Sequence, residues 1–124
     1  MIRSSRYALW GLVIAAMVGL SWAARAQSSS NDVQRGESLW RDKSCDACHS
    51  IGGGRRAGPD LKGVTDRRSR AWLNKWLTNT KDMLESDSIA MAMKADYHNW
   101  NMPQQRLSQA DINALLAYIS SKSQ

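Results

Sequence analysis

The only two cysteines of this 124-residue chain, Cys45 and Cys48, are separated by two residues, and His49 follows directly. Two thiols and an imidazole this close together can form a redox dithiol, bind a metal ion, close a disulfide or attach a haem group covalently. These chemistries need different surroundings, so the rest of the sequence decides among them.

Three of the four chemistries find little support in this chain. A thioredoxin-like dithiol needs a βαβ context, and no stretch here alternates apolar and polar residues as a strand does. A structural zinc ion takes four Cys or His ligands. The chain has two of each, but His49 adjoins Cys48, so these two side chains cannot easily bind one tetrahedral ion together. A disulfide between Cys45 and Cys48 would be strained and would leave His49 without a role.

The Cys-x-x-Cys-His pattern is typical of c-type haem attachment. Each thiol adds across one vinyl group of the porphyrin to give a thioether, and the two intervening residues set the separation of the sulfurs. His49 then lies under the ring as the proximal iron ligand. We therefore predict one covalent haem c at Cys45, Cys48 and His49.

The N-terminus has the pattern of an export signal. Residues 1–7 carry two arginines and no acid, residues 8–22 are uncharged and mostly apolar, and Ala24-Arg25-Ala26 is a small-x-small cleavage site. The alternative is a retained membrane anchor, but the uncharged run is shorter than the roughly 20 residues that a spanning helix needs. We therefore predict a Sec-type signal peptide over 1–26, a flexible polar leader over 27–31 and a periplasmic domain over 32–124.

Cleavage after Ala26 would leave one small domain with a mild positive charge. The signal takes three of the 17 Lys and Arg residues and none of the 11 Asp and Glu residues, which leaves a net charge of +3. No long basic run carries interleaved aromatic residues, so we exclude nucleic acid as a partner. The chain also lacks Phe, and a large apolar cofactor would relieve the shortage of core in so small a domain.

The rest of the sequence predicts helices joined by loops rich in Gly and Pro. The first helix is predicted over 32–43, with Asn31 as its N-cap. Val33, Gly36 and Trp40 fall on one face of this helix. Glycine inside a helix costs about 0.5–1 kcal/mol relative to alanine, so Gly36 makes sense where another helix crosses closely.

Three more helices are predicted after a loop over 51–64. They cover 70–78, 88–97 and a final stretch that ends near Ser121. The last helix begins with a capping-box variant, Ser108-x-x-Asp111, and shows the clearest apolar period of the chain.

Four motifs follow one another after a first helix that carries a glycine and an aromatic residue: "CDACH", "GPDLKGV", "NMP" and "LSQADINALLAYI". In this set, and over about 33–121, the chain resembles the class I monohaem cytochromes c of bacterial periplasms. The resemblance implies an all-α cytochrome c fold, with about four short helices wrapped around one covalently bound haem. It also implies that the first and last helices cross, with Gly36 and Trp40 against Leu115 and Tyr118.

The resemblance assigns a role to each of five residues. It implies that Cys45 and Cys48 form the thioethers, that His49 is the proximal iron ligand and that Met102 is the distal one. Pro59 matches the proline whose backbone carbonyl accepts a hydrogen bond from the proximal histidine. That bond would fix the tautomer of the ring.

Other side chains compete for places around the haem. By their chemistry the rivals of Met102 as distal ligand are His98, Met83, Met91 and Met93. Methionines on a helix are more often core residues than ligands, and a lone histidine in a polar loop is more often solvated. Five residues can either bond the haem propionates or serve in packing and solvation: Trp72, Trp76, Arg55, Arg56 and Arg67.

Filled axial positions would leave the iron no place for a substrate, so the sequence predicts an electron carrier rather than an enzyme. Such a carrier docks transiently on other redox proteins through a small interface. A basic rim would steer an acidic partner, and its candidate residues are Arg55, Arg56, Lys62, Arg67, Arg68 and Arg70. The alternatives are an electron-entry subunit of a larger periplasmic oxidoreductase and, with an open distal position, a haem sensor or peroxidase. We expect a monomer or a subunit of a complex, without membrane contact after signal cleavage.

Overall fold

The computed structural model describes residues 29–124, so the predicted signal peptide over 1–26 lies outside the described residues. The described part is helical and contains no β-strand, which confirms the all-α prediction. Its elements are α1 over 29–42, the 3₁₀ helix Cys45–Ala47, α2 Val64–Arg67, α3 Arg70–Thr78, α4 Thr80–Ser86, α5 Ser88–Asp96 and α6 Gln109–Ser121. None of these helices is long and apolar enough to cross a membrane.

The helix α1 begins earlier than the sequence predicted. Residues 29–31 are already helical, so Asn31 lies inside the helix and does not cap it. Ser and Asn cost at most about 0.7 kcal/mol each relative to Ala in a helix. That cost is too small to end a helix whose later turns are packed against the core. The prediction of Asn31 as the N-cap was wrong because the helix continues through it.

The helices α1 and α6 cross in close contact, as predicted. A Cβ atom built on Gly36 would stand 2.1 Å from the Ala114 carbonyl oxygen and 2.6 Å from the Tyr118 Cβ. One turn further along α1, the Trp40 and Tyr118 ring centroids are 6.1 Å apart. The resemblance also implied Leu115 at this crossing. Leu115 shares the buried cluster with Trp40 and Tyr118, while the smaller Ala114 lies opposite Gly36. Only a residue without a side chain permits this approach.

The N-terminus of α6 is fixed by a capping box, also as predicted. The Ser108 hydroxyl accepts a hydrogen bond from Asp111 N at 3.2 Å, and the Asp111 carboxylate accepts one from Ser108 N at 3.1 Å. The same carboxylate pairs with the Arg35 guanidinium of α1 at 2.6 Å. This ion pair ties the crossing together at one end, and it lowers the pKa of Asp111 to about 2.

The core lies between α1, α3 and α6. Its buried residues are Trp40, Leu73, Leu77, Ile112, Leu115, Leu116, Tyr118 and Ile119. The predicted helix over 70–78 is observed as α3, and its N-cap Ser69 accepts a hydrogen bond from Trp72 N at 3.2 Å. The same helices present further side chains to the candidate site.

The sequence missed two short helices, α2 and α4. The first is a single turn, and the second follows α3 after Asn79 alone. The two large apolar side chains that α4 buries, Met83 and Leu84, are adjacent in sequence and give no helical period. The predicted helix over 88–97 is observed as α5, which is capped by Asp87 through a hydrogen bond from Ala90 N at 3.0 Å.

Candidate haem site

A cavity of about 280 Å³ opens between the 3₁₀ helix, the 57–61 loop, α3, α6 and residues 100–103. Most of its wall consists of apolar side chains from the helices. Eight of the predicted site residues line this one cavity: Cys45, Cys48, His49, Pro59, Arg67, Trp72, Trp76 and Met102. The fold therefore brings together residues that lie as far apart in sequence as Cys45 and Met102.

The two thiols and the imidazole are gathered by a tight turn. Ser44 precedes the 3₁₀ helix in the left-handed region, with a φ of 52°. The Cys45 carbonyl then accepts hydrogen bonds from Cys48 N at 3.2 Å and from His49 N at 2.8 Å. The two cysteines are not joined in a disulfide, and burial raises the pKa of the Cys45 thiol to about 11.

The His49 ring is held in one tautomer. Its Nδ1 atom lies 2.8 Å from the Pro59 carbonyl oxygen, and because a carbonyl only accepts, Nδ1 must carry the proton. Burial lowers the pKa of His49, although the bond to Pro59 opposes that shift. The imidazole is therefore neutral at pH 7 and keeps the lone pair on Nε2, as a metal ligand requires.

Glycine at position 58 makes the bond from His49 to Pro59 possible. A Cβ atom on Gly58 would stand 2.5 Å from His49 Cε1 and 2.8 Å from Nδ1. The Gly58 N–H also donates to the Cys48 carbonyl at 2.8 Å. Gly58 was not among the predicted site residues, although its place directly before Pro59 in "GPDL" was a signal.

Two methionines reach the cavity within the described part of the chain. Met102 lies on the segment before Pro103, and Met93 lies on α5. Of the other predicted rivals, Met83 is fully buried away from the cavity and Met91 is half exposed. His98 is exposed and does not line the cavity. Of the methionines considered as the distal iron ligand, only Met102 and Met93 therefore line the cavity.

Trp72 and Trp76 form a stacked pair on the cavity wall. Their ring centroids are 5.4 Å apart and their planes differ by 8°. The Trp72 indole N–H points to Asp87 and lies 3.3 Å from both carboxylate oxygens. Because this donor is already paired with the N-cap of α5, the geometry favours the packing interpretation for Trp72.

Arg67 is held at the cavity edge by backbone oxygens. Its guanidinium donates to the Lys62 carbonyl and, at 3.3 Å, to the Asp60 carbonyl. Arg55 and Arg56 do not line the cavity. Arg55 lies 4.0 Å above the Tyr97 ring centroid instead. Neither Arg55 nor Arg56 therefore reaches the wall where a propionate contact was expected.

The residues on this wall fit a covalent haem. Two thiols and a neutral imidazole lie at one side of the cavity. The side chains of Met93 and Met102 also line it, and the remaining wall is largely apolar. This donor set is the one that a c-type haem needs for its two thioethers and its axial ligands.

Comparison with known proteins gives the same answer. The sequence model of the cytochrome c family matches residues 33–123. A search of the curated proteins finds no match.

Solved structures similar to this chain are cytochromes c. Cytochrome c from Rhodothermus marinus is 26% identical, covering 76% of this chain and 78% of that chain with a TM-score of 0.69. An engineered form of that protein, bound to a carbene intermediate, is also 26% identical, covering 76% of this chain and 79% of that chain, with a TM-score of 0.65. The cytochrome c domain of a Pseudomonas putida protein is 35% identical, covering 71% of this chain and 87% of that chain, with a TM-score of 0.62.

The family match extends over most of the chain and includes every residue of the cavity wall named above. The helical fold and the Cys-x-x-Cys-His turn agree with it. This chain belongs to the cytochrome c family, whose members bind haem c covalently and serve as haem-based electron carriers.

Proposed function

We propose that this protein is a periplasmic carrier that moves one electron between respiratory or other periplasmic redox proteins. The observation that carries the proposal is the single cavity that collects Cys45, Cys48, His49 and Met102, with His49 Nδ1 hydrogen-bonded to Pro59.

Each of these residues takes a specific part in holding the cofactor. Cys45 and Cys48 would form the thioethers to the haem, and His49, through Nε2, and Met102 would ligate its iron. When bound, the haem supplies a reversible Fe(III)/Fe(II) couple. The bond from Nδ1 to Pro59 orients the imidazole and makes it a stronger donor, while the thioether of Met102 favours the reduced state.

The cavity wall contributes by excluding water. Leu73, Leu116 and Ile119 are buried and line the site. An apolar surrounding disfavours the extra positive charge of the oxidised state and so raises the reduction potential. If His49 and Met102 both ligate the iron, no coordination position would remain for a substrate, which supports a carrier rather than an enzyme.

The basic residues near the cavity support the proposal that the redox partner has an acidic surface. Within residues 29–124 the structure has two ion pairs, Arg35–Asp111 and Arg41–Glu37. Neither involves the predicted basic rim, which comprises Arg55, Arg56, Lys62, Arg67, Arg68 and Arg70. Arginines of the rim contact carbonyl oxygens, aromatic rings or an amide instead. Their positive charge is therefore not cancelled by carboxylates and can attract an acidic surface.

Export rests on the sequence pattern of residues 1–26. A cleaved signal would place Cys45 and Cys48 outside the cytoplasm, where the haem would be attached. The mature chain would then begin at Gln27.

The test is to express the full-length chain together with a c-type haem maturation system and to purify it from the periplasm. We expect a coloured protein whose mass equals that of residues 27–124 plus one haem, with a far-red band in the oxidised state from the bond between methionine and iron. A Cys45→Ser, Cys48→Ser double variant serves as control and should lack covalent haem. Colourless wild-type protein would overturn the proposal, and stable co-purification with a catalytic partner would replace the free carrier by an oxidoreductase subunit.

A further inference from the structure

The carboxylate of Asp60 is the centre of the loop that supports His49. One of its oxygens accepts hydrogen bonds from Gly52 N at 2.9 Å and from Lys62 N at 2.8 Å. The other oxygen lies 2.5 Å from Gly54 N and 2.9 Å from the Ser50 hydroxyl. That hydroxyl is also 2.5 Å from the Gly54 carbonyl oxygen, so its one proton is shared between two acceptors. Three backbone N–H groups and this shared hydroxyl, from both ends of the loop, therefore converge on one side chain.

The glycines of this loop have the backbone conformation that the convergence needs. Gly52 and Gly54 have φ values of 86° and 84°, in the left-handed region where other residues are strained. Backbone N–H groups turned inward in this way form an anion-binding nest. Hydrogen bonds from Gly52 and Lys62 hold the pKa of Asp60 well below its usual range, so the carboxylate is charged at neutral pH.

The two ends of the loop lead directly to the His49 ring. Ser50 follows His49 in sequence, and its carbonyl accepts a hydrogen bond from Leu61 N at 2.8 Å. Pro59 precedes Asp60, and its carbonyl accepts the bond from His49 Nδ1. Asp60 therefore links Ser50, which follows His49, to the segment that carries the Pro59 carbonyl.

We propose that Asp60 is a positioning residue that holds the Pro59 carbonyl on His49 Nδ1 and thereby sets the reduction potential of the bound haem. The inference rests on the proposed function, because it takes His49 as the proximal ligand. Loss of the fixed bond makes the imidazole a weaker donor. Loss of the carboxylate also removes a negative charge that stabilises the oxidised state. Both effects raise the reduction potential.

The variant Asp60→Asn separates positioning from bulk because it keeps the shape of the side chain. An amide has one accepting oxygen, and its NH₂ group would face the N–H donors that now bind the second carboxylate oxygen. The loop should therefore loosen on one side. Asp66→Asn is the matched control: it removes the same charge from an exposed residue of α2 that makes no hydrogen bond to the 50–54 loop.

The experiment compares the purified haem-loaded wild type with these two variants. Potentiometric titration gives the reduction potential, and NMR of the reduced protein gives the ring-proton resonances of His49. We expect Asp60→Asn to shift the potential upward by more than Asp66→Asn, and to move the His49 resonances, which Asp66→Asn leaves in place. Equal potential shifts with unmoved His49 resonances would overturn the positioning role.

Two further results keep the test decisive. If Asp60→Asn takes up no haem, Ser50→Ala removes one of the four donors and should shift the potential and the His49 resonances in the same direction by a smaller amount. An unchanged Ser50→Ala protein would then overturn the inference. A wild type whose NMR spectrum shows no haem-shifted His49 signals would overturn the proposed function instead, so the two failures are distinguishable.

Discussion

The ring of His49 lies against the backbone of Gly58, so closely that a Cβ atom at position 58 would stand 2.5 Å from Cε1. This contact allows the Pro59 carbonyl to come within 2.8 Å of Nδ1. The position of the ring therefore depends on a residue that has no side chain and carries no chemistry of its own.

We expect Gly58→Ala to destabilise the haem-loaded protein by about 1–3 kcal/mol, the usual cost of overpacking. The added methyl group must push either the imidazole or the loop away. Urea unfolding followed by the haem absorbance measures the cost. Gly53→Ala is the control, because its Cβ would meet Ser50 Cβ at 3.2 Å and a small shift of the loop relieves that contact. Equal stability of Gly58→Ala and wild type would contradict the close contact.

The crossing of α1 and α6 makes a similar prediction at Gly36. Alanine normally favours a helix over glycine by about 1 kcal/mol. Here, however, its Cβ would stand 2.1 Å from the backbone oxygen of Ala114, which cannot move without moving α6. We expect Gly36→Ala to lose about 1–3 kcal/mol of unfolding free energy, as measured by thermal and urea unfolding. The exposed Ser38→Ala on the same helix should change stability by less than about 0.5 kcal/mol.

Local sequence pattern was sufficient to predict those parts of the fold where one signal had one cause. The capping box at Ser108 and the apolar period behind it coincide, so α6 was predicted with its start and end. Gly36 on an apolar helix face has little explanation except close approach, and it correctly indicated the crossing. The Cys-x-x-Cys-His turn is equally local, because its spacing alone brings Cys45, Cys48 and His49 together.

The features that were missed depend on contacts between distant or irregular segments. Asp60 gathers donors only because Gly52 and Gly54 adopt left-handed conformations, which composition does not specify. The bond from Trp72 to Asp87 joins the start of one helix to the cap of another. Neither of these relations leaves a period or a motif in the sequence.

The two methionines on the cavity wall can be distinguished by substitution. We expect Met102→Ala to lose the far-red band of the oxidised protein and to lower its reduction potential, because the thioether ligand favours the reduced state. Met93→Ala should keep the band, as should the control Met91→Ala, whose side chain is half exposed. Loss of the band in Met93→Ala alone would assign the distal ligand to Met93. Retention of the band in every variant would exclude both residues.

The Arg35–Asp111 pair predicts part of the acid sensitivity. The pKa of Asp111 is lowered to about 2 from 3.8, mainly by the hydrogen bond from Arg35. A carboxyl group whose pKa is lowered by folding stabilises the folded state at every pH above its pKa in the unfolded chain. This contribution is lost as the pH falls from about 4 to about 2. Asp111→Asn should therefore be less stable than wild type at pH 7 and lose less stability over that acid range.

Urea unfolding at a series of pH values tests this prediction. The control is Asp42→Asn on the same pair of crossing helices, since Asp42 is exposed and makes no ion pair. Its stability curve should run parallel to that of the wild type. A parallel curve for Asp111→Asn as well would show that the ion pair contributes nothing to the acid response.

The basic rim predicts that the electron-transfer rate depends on the charge of the partner. Charge steering raises association rates by about 10–10³-fold, and at 0.1 M salt the screening length is about 10 Å. We expect oxidation of the reduced protein by anionic hexacyanoferrate(III) to slow with rising salt, and oxidation by cationic tris(1,10-phenanthroline)cobalt(III) to quicken, as followed by stopped-flow absorbance. Arg68→Gln, at the cavity edge, should weaken both trends more than Lys81→Gln, an exposed residue of α4 that does not line the cavity. Rates that ignore salt with both reagents would mean that the rim does not steer, because unscreened positive charge beside the haem must distinguish the two.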